Sequence, residues 1–104
     1  MLTIYPACFY EENNGYSVIF PDLNYIGTCG STLDEAMKMA VDCLAVYAYY
    51  LAMEGDDLPP PSDIKDIDPV AVAQKLDFNL GEHFVDMVAV DVNEYAKLHF
   101  EKPI

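Results

Sequence analysis

Leu2 to Tyr10 alternates in the manner of a strand and is rich in β-formers, and a polar cluster, Glu11-Glu12-Asn13-Asn14-Gly15, turns the chain into a second alternating run. In that run Tyr16, Val18 and Phe20 take turns with Ser17 and Ile19, and Pro21-Asp22 closes it because proline has no amide to give to a ladder. A third short run, Tyr25 to Cys29, follows a tight connection, so the first third of the chain predicts a three-stranded antiparallel meander. Pro6 points to an edge or a bulge within the first strand. At Thr32 the period changes from 2 to 3.6. Thr32 and Glu35 have the spacing of a capping box, with the Thr32 hydroxyl on the Glu35 amide and the Glu35 carboxylate on the Thr32 amide.

A helix from Leu33 to about Met53 carries a core stripe at Leu33, Ala36, Met37, Ala40, Val41, Leu44, Ala48 and Leu51. Met39, Cys43, Val46, Tyr50 and Met53 keep the same spacing on a neighbouring face, leaving Asp34, Glu35, Lys38 and Asp42 as the clearly wet surface. One small sheet covers one face of a helix. The second stripe therefore calls for another chain, for the middle segment folded over it, or for a helix sandwiched within its own domain. Gly55 supplies a C-cap, and an acidic proline-rich spacer follows over about 55–68. Asp68-Pro69 reads as N-cap and N1 of a short helix to about Leu76, and Gly81 breaks the chain after it. Phe84 to Val92 reads as a strand buried on both faces that returns beside the first one, and Asn93 to Phe100 as a short closing helix or an irregular end.

Composition narrows the function. With 104 residues there is one core and little chain to spare for a cleft, and the 18 acids stand against five lysines and no arginine. A net charge of −13 argues against direct nucleic-acid binding, which draws its affinity from cations that displace counterions, and favours a basic partner. The start of the chain has no basic, apolar leader pattern, and Cys43 to Met53, the longest apolar run, is too short for a bilayer. Cys8, Cys29 and Cys43 are scattered without a CxxC, which predicts reduced packing residues in a cytoplasmic protein and no metal or other cofactor.

The histidines, His83 and His99, stand outside any metal-ligand motif, and the five glycines form no phosphate loop. Ser31 follows Gly30 without a nucleophile elbow, so no nucleophile-and-base set is legible and the expectation is a protein that is not an enzyme. The competing reading is a small metal-dependent nuclease in which Asp22, Asp86 and Asp91 converge at one end of the sheet. Tyr47, Tyr49 and Tyr50, clustered near the end of the long helix, suit either core packing or a binding surface.

Together these residues resemble the HicB-like antitoxin family: Tyr5-Pro6-Ala7, the run Tyr16-x-Val18-x-Phe20-Pro21-Asp22-Leu23, the Thr28-x-Gly30 exit, Thr32-Leu33-x-Glu35-Ala36 and the tail Leu58-Pro59-x-Pro61-Ser62. The pattern covers residues 2 to 64 and, by order of elements, Phe84 to Tyr95; it departs at Asn24-Tyr25-Ile26, where many members carry Pro-Gly-Cys. The resemblance implies an α+β, partial RNase H-like fold of three-stranded meander, long helix and returning fourth strand. It implies a partner too, a small basic mRNA-cleaving HicA-type toxin that the antitoxin neutralises. Members typically continue into a domain that binds promoter DNA, and this chain stops at Lys102-Pro103-Ile104, about where such a domain would begin. The expectation is then a single antitoxin domain over 1–104 that touches DNA only through a further domain. Met39, Cys43, Val46 and Tyr50, with the acids Glu54, Asp56 and Asp57, are the expected partner surface, and a homo-oligomer formed through the second stripe or a sheet edge is expected as well.

Overall fold

The structure, a computed structural model, describes residues 2–78 and 80–100. Strands β1 (Leu2–Glu12), β2 (Gly15–Phe20) and β3 (Ile26–Gly30) form the meander, helix α1 spans Leu33–Met53, and a 3-10 turn at Ile64–Asp66 precedes α2 (Pro69–Lys75), β4 (His83–Asp91) and α3 (Val92–His99). The sheet is antiparallel throughout, in the order β3-β2-β1-β4. The returning strand lies beside the first, as expected. Phe9 of β1 faces Phe84 of β4, and their rings stack at 4.8 Å.

Pleat alternation sorts the side chains of β1 onto two hydrophobic clusters, one on each face of the sheet, where the length of the chain predicts a single core. Tyr5, Ala7 and Phe9 join Val18, Phe20, Val88 and Val90 against Ala36, Ala40, Leu44, Ala45 and Ala48 of α1. On the opposite face Cys8, Tyr10 and Ile19 pack with Val72 and Ala73 of α2. Alanines on the inner face of α1 let the helix approach the sheet closely, and each large side chain buried between them contributes about 1.5–3 kcal/mol. Gly30 belongs to this packing, because a Cβ there would lie 2.4 Å from the Ala36 nitrogen.

Pro6 sits in a strand with neighbours on both sides without costing a hydrogen bond. The Glu11 amide donates to the Glu82 carbonyl on the β4 side, so odd residues of β1 bond towards β4 and even ones towards β2. Pro6 thus turns its nitrogen to the β2 side, beyond Cys8, the last residue that β2 reaches.

The middle segment is tied down by the sheet. Tyr5 donates its hydroxyl to the Pro59 carbonyl, and the Ser62 amide and hydroxyl donate to the Asp22 carboxylate at 2.7 and 2.8 Å. Asp68 caps α2 through the Val70 and Ala71 amides, and Tyr10 donates to the Pro69 carbonyl at 2.7 Å. This route carries α2 to the sheet face opposite α1, so the middle segment leaves the second stripe of α1 uncovered.

Three further expectations need correction. The Glu35 carboxylate accepts from the Ser31 amide, one residue before the expected Thr32, while the Thr32 hydroxyl accepts from Glu35 as expected. Leu33 is exposed, since it sits at the helix start beyond the sheet, and Ala45 takes a place in the core instead. The fourth strand is not buried on both faces: Val88 and Val90 are covered, whereas Phe84, Met87 and Ala89 are exposed, because β4 is an edge strand that α2 touches only near its start.

Candidate functional site

The connection from β2 to β3 is a tight reversal in which Asn24 and Tyr25 both have φ of 58°, the left-handed pair a type I′ turn requires. Such a backbone costs a residue with a Cβ about 1 kcal/mol, and three contacts offset it. The Ile26 amide donates to the Leu23 carbonyl, Asn24 donates to the Tyr47 hydroxyl at 3.1 Å, and the Lys75 ammonium stands 4.8 Å above the Tyr25 ring. β3 is thereby set beside the outer flank of α1, and between them runs an open groove of about 390 Å³. Ile26, Gly27 and Thr28 form one wall; Asp42, Cys43, Val46, Tyr47 and Tyr50 form the other.

Three of the expected partner residues, Cys43, Val46 and Tyr50, thus meet in one place. Met39 is exposed one helical turn before Cys43, and Glu54, Asp56 and Asp57 are exposed beyond the helix end. Sequence reasoning missed β3 as the second wall. The signal was present, because the last strand of a meander is a sheet edge unless something joins it.

The groove is almost wholly apolar, with one carboxylate. Asp42 accepts from the Tyr95 hydroxyl at 2.8 Å; burial first, then that bond, pushes Tyr95 up to about 12. Burial also raises the Cys43 thiol, with the Asp42 charge adding to the effect, so the protonated thiol is favoured there. Such a surface offers contact area and one negative charge rather than a reacting group.

A larger concavity of about 740 Å³ opens at the other end of the sheet, where Glu11, Glu12, Glu35 and Asp77 line it with Phe78 and Leu80. Gly15 floors it with φ of 144°, and a Cβ there would fall 2.2 Å from the Gly30 carbonyl oxygen.

The nuclease carboxylates do not converge. Asp22 holds Ser62, Asp86 accepts from the Met87 amide at 2.8 Å, and Asp91 caps α3 by accepting from Glu94, the bond that chiefly lowers its own carboxyl. Asp86 and Asp91 lie five residues apart on one strand, so the pleat directs them to opposite faces. Among the described residues no three His, Cys, Asp or Glu side chains are grouped to hold a metal. His83 turns its Nδ1 to the Gly81 carbonyl, and His99 packs on Tyr95. Helix α1, 21 residues long, is apolar enough by length and composition to cross a bilayer, but here it is the core helix against the sheet.

A family model described as HicB_like antitoxin of bacterial toxin-antitoxin system matches residues 5–101. Antitoxin HicB 2 of Photorhabdus laumondii is 34% identical over 58 residues, a stretch that covers 56% of this chain and 42% of that protein. The chain thus spans less than half the length of that curated relative. Among solved structures, a chain of a toxin-antitoxin complex from Streptococcus pneumoniae superposes with a TM-score of 0.81 and 32% identity, covering all of this chain and 78% of the other. A chain of a HicA3 and HicB3 toxin-antitoxin complex gives a TM-score of 0.64 and 27% identity over 86% of this chain and 99% of its own.

Proposed function

The chain belongs to the HicB-like antitoxin family of bacterial toxin-antitoxin systems, and from that premise we propose that it binds and neutralises a small basic HicA-type toxin in the cytoplasm, with no chemistry of its own. One observation carries the reading: the whole chain superposes at a TM-score of 0.81 on a chain taken from a toxin-antitoxin complex. The physical chemistry supports it. A protein that cleaves RNA needs cations for its substrate, and a chain of net charge −13 attracts those cations from a distance and competes with RNA for them. Electrostatics sets the rate of encounter, while apolar contact sets the residence time.

The absence of catalysis is argued from use. Asp22, Asp86 and Asp91 each hold a neighbouring polar group in place, so their carboxylates have structural work that accounts for them.

The test is reconstitution with a small basic HicA-type toxin that cleaves mRNA. Added in equal amount, the chain should abolish cleavage of an mRNA by that protein, and alone it should leave RNA intact with or without Mg²⁺ or Mn²⁺. Undiminished cleavage would remove the antitoxin reading. Metal-dependent cleavage by the chain itself, lost in Asp22→Ala, would install the nuclease in its place.

A further inference from the structure

We propose that β3 is a docking edge that takes up a strand of the toxin, pairing with it through the backbone of Gly27 and Cys29 while alternate apolar side chains of that strand settle against Val46 and Tyr50. The proposal rests on the antitoxin reading and names the surface it uses.

Hydrogen-bond alternation carries the argument. Even residues of β1 bond towards β2, at Cys8 with Ile19 and Tyr10 with Ser17, so the even residues of β2 bond towards β3. Their partners there are Ile26, Thr28 and Gly30, which leaves Gly27 and Cys29 with amide and carbonyl turned outward at the end of the sheet. Both residues are exposed, and among the described residues no side chain caps them. An added strand would find four backbone groups there. The side chains of Ile26 and Thr28 face the groove, so every second side chain of an added strand would enter the same apolar channel.

The opposite edge is interrupted at its middle. On β4 the odd residues point outward, and the Met87 amide is already occupied by the Asp86 carboxylate at 2.8 Å, which also puts a charge on that edge. Charge decides the occupant of β3. A second copy would bring another −13 and a second Asp42 to the groove, whereas a cationic toxin gains from Asp42 within it and from Glu54, Asp56 and Asp57 beyond the helix end.

The test measures binding of the full chain to a catalytically inactive HicA-type toxin. Cys29→Pro deletes one outward amide without touching the β2 ladder, and Cys29→Ser restores it without the thiol. Val46→Asp charges the groove at a position already 45% exposed, so the fold tolerates it even where the proline does not. Cys29→Pro and Val46→Asp should each weaken binding by about 30-fold or more, the size of a hot-spot loss, while Cys29→Ser and Ala89→Pro on the other edge should stay within about 3-fold, below any hot-spot cost. Native binding by a folded Val46→Asp variant would overturn the proposal and leave the antitoxin reading standing. So would a dimer of the isolated chain that Val46→Asp dissociates, since a second copy would then own the groove. Failure of the native chain to bind at all would instead remove the antitoxin reading, and this proposal with it.

Discussion

The two edges of this sheet are built from the same backbone and treated in opposite ways. β3 is five residues long, ends a meander, and presents Gly27 and Cys29 beside an apolar channel. β4 is nine residues long and exposes Phe84 and Met87, yet Asp86 folds back onto the outward amide of Met87 and charges the rim. Length and hydrophobicity alone would rank β4 as the sticky edge. One carboxylate at the middle of β4 and the apolar channel beside β3 reverse that ranking. The difference teaches that an edge is defined by what stands beside its outward backbone groups, a charge on β4 and an apolar channel on β3, more than by its length.

The largest expected effect removes the support that both edges share. Leu44 is fully buried between α1 and the sheet, and Leu44→Ala should cost about 2–5 kcal/mol, the range for a large-to-small core substitution. A thermal melt should fall by about 10 °C or more for a domain of this size, with amide exchange rising at β3 and β4 alike. A loss confined to one edge would mean that the edges do not share a core.

A smaller effect should come from Asp86→Thr, which frees the Met87 amide and uncharges the rim of β4. Stability should change by about 0.5 kcal/mol or less, as for other surface substitutions. Self-association in sedimentation should rise above that of the native chain, and Met87→Pro added to the variant should reverse it. An unaltered sedimentation profile would show that Asp86 does not guard this edge.

The smallest effect is a titration. Tyr95 sits behind the β3 groove with its hydroxyl on Asp42 and is pushed up to about 12, and burial raises Tyr5 and Tyr10 as well. A raised tyrosine contributes stability that is whole below the ordinary value near 10 and is lost as pH climbs through the folded value. Absorbance should therefore show exposed tyrosines ionising first, with unfolding setting in between about pH 10 and 12. Asp42→Asn should bring Tyr95 down; an unmoved titration would mean that burial alone holds it.

Much of the fold was legible because its signals are local. The capped start of α1 at Thr32, its end at Gly55, the Asp68-Pro69 start of α2 and the alternation of β4 all depend on residues a few positions apart. The family pattern lies in the same stretches. Burial of β4 was overestimated because a run of valines states hydrophobicity without stating whether the strand is central or at an edge. Convergence of Asp22, Asp86 and Asp91 failed for a related reason, since sequence gives no account of what already occupies a carboxylate. That Cys43, Val46 and Tyr50 share one helix face is legible from helical spacing, while the β3 wall of their groove depends on strand order and hydrogen-bond parity, both properties of the assembled sheet.

The comparison of the edges is tested most directly by amide hydrogen exchange of the native chain, with and without a catalytically inactive HicA-type toxin. The account predicts that Gly27 and Cys29 exchange freely in the isolated chain and slow by about 10-fold or more in the complex, as amides drawn into a ladder do. Ala89, outward-facing on β4, should keep its rate. Protection of Ala89 with no change at Gly27 and Cys29 would contradict the account, because the partner would then be using the edge that Asp86 interrupts.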